Sequence, residues 1–119
     1  MVQVREIDQI ALDAFGKWSN ALFASIRTYN EYANFSDYKD AFFLILKKFL
    51  DERKVYFEDP KSKFGSGTIW QADTDTIIQY WLDHWPKAAS NLGDADLNIY
   101  FYKMPAILWV SDDGKLYSS

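Results

Sequence analysis

The chain of 119 residues contains no cysteine, which excludes disulfides and thiolate zinc sites. Secreted domains of this size commonly lean on disulfides, so a reducing, cytoplasmic setting is expected. Long apolar runs are also missing. The longest, Ala41 to Leu46, spans six residues, against the ~20 needed to cross a bilayer, so neither a membrane span nor a membrane partner is expected. The opening residues Met1 to Asp8 carry acids and no unbroken apolar stretch, unlike a signal peptide.

Histidine occurs once, as His84 between Asp83 and Trp85. Its place near the end of an expected helix reads as a capping or surface group rather than a catalyst. No Gly-x-Ser-x-Gly elbow supplies a nucleophile for it, because Gly65-Ser66-Gly67 has the wrong spacing. The same Gly-Ser-Gly lacks the lysine and the following Ser or Thr of a phosphate-binding loop, so it reads as a flexible turn. Paired acids at Asp73/Asp75, Asp94/Asp96 and Asp112/Asp113 raise carboxylate catalysis or calcium binding. The chain beyond Asp94 has neither the glycine nor the closing Glu of a calcium loop, and Asp112 lies too near the chain end to complete one. No catalytic residue, metal or cofactor is assigned, and an enzymatic role is not expected.

Half of the composition is apolar (49%), enough for one core, so residues 1–119 are read as a single domain. Five Trp, eight Tyr and nine Phe exceed what such a core requires alongside its aliphatics, which places some rings at the surface. Charge is unevenly spread. Ten acids and ten bases cancel over residues 1–70, whereas residues 71–119 hold Asp73, Asp75, Asp83, Asp94, Asp96, Asp112 and Asp113 against Lys87, Lys103 and Lys115. The whole net charge of −4 therefore lies in the C-terminal part. That field repels phosphate backbones, so no nucleic-acid partner is expected, and it attracts basic proteins.

Apolar residues at Ile7, Ala11, Phe15, Trp18, Leu22, Ile26 and Tyr29 predict one long helix that ends at Asn30. Gly16 within it signals close packing or a slight kink. Ser36 is the expected cap of a second helix that runs to about Glu52 through the middle of the core. Val55–Phe57 and Thr68–Trp70 are β-prone; either they pair or only the first is a strand. Asp73 or Thr74 caps a third helix that ends at Trp85-Pro86 and carries Asp75, Gln79 and Asp83 in an outward row. A loop follows over 87–96. Leu97–Tyr102, Ala106–Val110 and Lys115–Tyr117 are read as strands, with Tyr100 and Tyr102 on the face away from the helices. The expected class is α+β, three helices packed with a small C-terminal antiparallel sheet.

The order of elements, with Trp85-Pro86, Tyr100-Phe101-Tyr102, Met104-Pro105-Ala106-Ile107-Leu108-Trp109-Val110 and Asp113-Gly114-Lys115, resembles small bacterial proteins of a domain family without assigned activity. Some cytosolic proteins of this general kind are immunity proteins of polymorphic toxin and contact-dependent growth inhibition systems. The resemblance covers the last two-thirds of the chain. It implies a protein that binds the toxic C-terminal domain of a cognate toxin, often a nuclease, and blocks its active site. On that reading the contacts fall on Asp75, Asp83, Asp94, Asp96, Asp112 and Asp113, with Tyr100 and Tyr102 as aromatic anchors. The alternatives are an adaptor or oligomeric scaffold unrelated to toxins, and a small carboxylate-based hydrolase.

Overall fold

The apolar stripe from Ile7 to Tyr29 is carried by two helices, α1 (Ile7–Ala14) and α2 (Ser19–Tyr29), in the computed structural model, which describes residues 2–118. The break between them is larger than a kink. Gly16 adopts a left-handed φ of 77°, and the Lys17 N–H closes the turn on the Ala14 carbonyl at 3.0 Å. An added Cβ at Gly16 would meet nothing within 4 Å, so the dihedral requires glycine here, not close packing. Gly16→Ala should lower stability by about 1–2 kcal/mol, the cost of placing an L side chain in that region, read as a lower urea midpoint with an unchanged m-value. The break also releases a backbone acceptor. The carbonyl of Lys17 takes the indole N–H of Trp109 at 2.9 Å, which ties this turn to the sheet.

Asn30 ends α2 as expected, and its buried side chain holds the N-terminal segment. It accepts from the Arg5 N–H at 2.7 Å and donates to the carbonyls of Arg5 and Ile26, each at 3.1 Å. The next helix, α3 (Phe35–Asp51), is capped by Asn34, which accepts from the Asp37 N–H at 3.1 Å. Ser36, the expected cap, lies inside the first turn and donates to the Asn34 side chain at 2.7 Å. Six side chains of α3 are buried, from Ala41 to Phe49, which makes it the helix at the centre of the core. The chain leaves α3 into β1 (Val55–Phe57).

The third expected helix forms as α4 (Thr74–Asp83), capped by Asp73 through the Thr76 N–H at 2.8 Å, with Ile77 and Trp81 buried. The expected strand at 97–102 is a helix, α5 (Ala95–Lys103). Asp94 caps it by accepting from the Asp96 N–H at 2.9 Å, and Leu97, Tyr100 and Phe101 are buried at the i, i+3, i+4 spacing of a helix. That capping overrides the β propensity of Ile99-Tyr100-Phe101-Tyr102. Met104-Pro105 ends α5, and the chain continues into β2 (Ile107–Val110) and β3 (Leu116–Tyr117).

The sheet is antiparallel, in the order β1-β2-β3, with Val55 opposite Trp109 and Trp109 opposite Tyr117. Its first strand comes from mid-chain, so the sheet is not confined to the C-terminus. Thr68–Trp70 does not form a strand. It pairs with the end of β1 through a single bridge of Ile69 with Glu58, in which the Trp70 N–H donates to the Phe57 carbonyl and the Asp59 N–H to the Thr68 carbonyl, each at 2.8 Å, and which closes the loop 59–67. The result is an α+β fold of five helices and one three-stranded sheet among the described residues, not three helices. One cluster of buried side chains draws on every helix and on β1 and β2, with Phe42, Phe49, Phe57, Trp81 and Trp109 fully enclosed. Among the described residues no helix is long and apolar enough to cross a membrane.

Candidate functional site

The six acids expected to contact a partner lie at three places. Asp75 and Asp83 stand on the exposed stripe of α4, where Asp83 accepts from Gln79 Nε2 at 2.7 Å and Asp75 lies 3.9 Å from Lys47 Nζ. Asp94 and Asp96 open α5, and Asp112 and Asp113 form the β2–β3 turn. Two of the six have structural duties. Asp94 is the cap of α5, and Asp113 accepts from the Ser111 hydroxyl and from the Lys115 N–H at 3.1 Å. No hydrogen bond or ion pair engages the side chains of Asp96 or Asp112 among the described residues, and both are exposed.

The hydrogen bonds to these caps and turns have a consequence for pH. The Asp113 carboxyl is held below the usual range first by the Ser111 hydroxyl and then by backbone N–H groups. Asp73 is lowered by the side chain of Thr76 and by its N–H. In both cases the unfolded chain binds the proton more readily. Their contribution to stability is therefore present above the unfolded pKa of about 3.9 and is lost as pH falls through the depressed folded values. Asp73→Asn, which can still accept from Thr76, should show a smaller loss of urea midpoint between neutral and acidic pH than the unaltered protein does.

Tyr100 is not at the surface. It is 5% exposed, with its ring against Trp81 and Trp85, and its hydroxyl donates to the Trp81 carbonyl at 2.6 Å. Burial raises its pKa well above the usual phenol range. The helical period of α5 explains the correction, because it turns Tyr100 and Phe101 inward and leaves Ile99 and Tyr102 outside. Tyr100 is thus part of the core and cannot anchor a partner. Tyr102 can, being 59% exposed.

Tyr102 belongs to a surface that the linear sequence does not reveal. Its ring meets Trp18 edge-on at 5.4 Å, and Trp18 meets Phe64, 71% exposed, at 6.4 Å. A cleft lined by Trp18, Glu58, Phe64, Phe101, Pro105 and Ser118 opens beside Trp18 and Phe64 and reaches the residue after β3. In a second group Tyr117 packs on Phe15 at 5.7 Å, and both rings keep much of their surface in solvent. Five rings thus come from four segments: the α1–α2 turn, the loop 59–67, α5 and β3.

The loop that carries Phe64 is held by Glu58, a residue whose sequence context gave no sign of a role. Glu58 is 4% exposed; Oε1 accepts from the Gly67 N–H at 2.8 Å and Oε2 from the Gly65 N–H at 3.3 Å. The Gly-Ser-Gly does converge on an anion, but the anion is the chain's own carboxylate. Gly65 and Gly67 both have positive φ, which aims their N–H groups inward. Glu58→Ala should cost about 1–3 kcal/mol by stranding these donors and should speed amide hydrogen exchange at Gly65 and Gly67.

His84 caps α4. Its Nδ1 lies 2.8 Å from the Tyr80 carbonyl and its ring stacks near Tyr80 at 4.2 Å. Among the described residues no three His, Asp or Glu side chains are grouped as a metal ion would require. Comparison with protein-family models, with curated proteins and with solved structures gives no match for this chain.

Proposed function

We propose that this protein acts by binding another protein. In line with its resemblance to immunity proteins, the partner is a toxin domain, a nuclease in the first instance, whose active site it covers in the cytoplasm. The observation that carries the binding reading is the set of exposed rings in two groups, Trp18 with Phe64 and Tyr102, and Phe15 with Tyr117, drawn from four separate segments. Large rings cost little side-chain entropy to immobilise and dominate the energy of protein interfaces. The acids supply steering. Asp75, Asp83, Asp96 and Asp112 stand exposed and draw in a basic nuclease face, while Asp94 and Asp113 add to the same field as they hold a cap and a turn.

The test is co-expression. The reading requires that an adjoining reading frame encode the end of a large secreted protein. That domain alone should arrest growth, and this chain should restore it by forming a stoichiometric complex. Growth arrest that this chain does not relieve, with no complex formed, would contradict the immunity role. Self-association through the same rings, seen by sedimentation without any partner, would favour the scaffold alternative instead.

A further inference from the structure

We propose that the cleft beside Trp18 and Phe64 takes the ammonium end of a lysine side chain presented by the partner. This deepens the protein-binding reading above and rests on it, because it names the group that the partner's basic face inserts. The charge comes from Glu58. It is 4% exposed, and among the described residues it is the only ionisable residue that lines this cleft. Its oxygens accept from the Gly65 and Gly67 N–H groups, neutral donors that fix the carboxylate in place and leave its charge uncancelled. No lysine or arginine nitrogen lies within 4.0 Å of it among the described residues. A buried charge without a counter-ion is costly, and it is screened less than one at the surface, so its field acts across the cleft that it lines.

The chain's own lysines do not fill this place. Lys17 and Lys63 adjoin Trp18 and Phe64 in sequence but line neither this cleft nor the neighbouring one. Lys103 lines only the neighbouring cleft, where it stands beside both Asp59 and Glu58. Each lining is therefore negative in sum.

The walls suit a cation as well. The rings of Trp18 and Phe64 lie 6.4 Å apart with their planes at 63°, so they meet as two sides of a corner, and Phe101 and Met104 add apolar lining. Aromatic faces attract an ammonium group through their quadrupole. The cleft has a volume of about 40 Å³, room for about three water-sized groups. That admits the terminal methylene and ammonium of a lysine and falls short of the planar guanidinium of an arginine. The carboxylate repels an anion, and a purely apolar occupant would cover it without pairing it. A metal ion would need more ligands than this one side chain, and none is grouped with it among the described residues.

The experiment titrates the full chain, labelled for amide NMR, with three short peptides that differ in one central residue: lysine, Nε-acetyl-lysine or arginine. The lysine peptide should shift the amides of Phe64, Gly65 and Gly67, and its affinity should fall with added salt. The acetylated peptide, which lacks the charge, should cause no shift there, and the arginine peptide should bind more weakly. Glu58→Gln should abolish the shifts. Because that change also disturbs the turn at Gly65 and Gly67, Phe64→Leu is the second variant: the site is exposed, so the chain should fold normally, and the apolar bulk stays while the ring face is lost. Its affinity for the lysine peptide should fall by about threefold or more. Equal binding of the acetylated or the arginine peptide, an unchanged affinity in Phe64→Leu, or no shift with the lysine peptide would each overturn the proposal. Against the toxin domain the two readings separate. If Glu58→Gln and Phe64→Leu bind it as tightly as the unaltered chain while Tyr102→Ala does not, the lysine proposal falls and the binding reading stands. If Tyr102→Ala and Phe64→Ala also bind unchanged, both fall.

Discussion

Phe42→Ala should lower the unfolding free energy by about 3–5 kcal/mol, the range for removing a fully buried aromatic side chain. Phe42 is 0% exposed and is the meeting point of the helices. Its ring lies 5.7 Å from Phe23 of α2, 5.9 Å from Trp81 of α4 and 5.4 Å from Phe101 of α5, with Phe43 and Trp85 also in contact. Close-packed bulky rings on several sides collapse poorly into a cavity, so the upper part of the range applies. A domain of this size has only about 5–15 kcal/mol of stability in total, so the variant should lose a large fraction of it. Urea unfolding followed by near-ultraviolet circular dichroism would measure this. A loss below ~1.5 kcal/mol, the scale of a volume-conserving swap, would show that the α3 centre is less tightly packed than described.

The second large effect concerns binding and should leave the fold alone. Phe64→Ala and Tyr102→Ala remove rings that are mostly in solvent, so each should change stability by no more than about 0.5 kcal/mol. Each should weaken the complex with the partner by about 2 kcal/mol or more, roughly 30-fold in Kd. Trp18 touches both rings but is half-buried, so its removal would mix folding with binding. The pair of exposed rings separates the two. Titration calorimetry of the complex, with urea unfolding of each variant alone, would give both numbers, and a stable variant with unchanged Kd would remove that ring from the interface.

How much of this was legible in the sequence depended on range. The cap at Asp73 with the stripe of Ile77 and Trp81, the apolar α3, and the strands at 55–57 and 107–110 are local patterns, and they were readable. The stripe from Ile7 to Tyr29 kept its phase across Gly16, which hid a full turn behind an unbroken periodicity. Leu97 to Tyr102 satisfies both a period of two and a helical period. The acidic cap at Asp94 decides for the helix, and this moves Tyr100 from surface to core. At the candidate site only Tyr102 and the surplus of rings were foreseen. Trp18 meets Phe64, and Phe15 meets Tyr117, through tertiary contacts between distant segments, which no local pattern encodes. The role of Glu58 is of the same kind, since its partners lie seven and nine residues away across an irregular loop.

The central claim is that this domain works by covering a toxin domain with its ring surface. It is tested most directly by growth of cells that express that domain together with either this chain or its Phe64→Ala, Tyr102→Ala double variant. The account predicts that the unaltered chain restores growth and that the double variant, though folded and equally abundant, fails to do so. Rescue by both chains alike, or by neither, would contradict it.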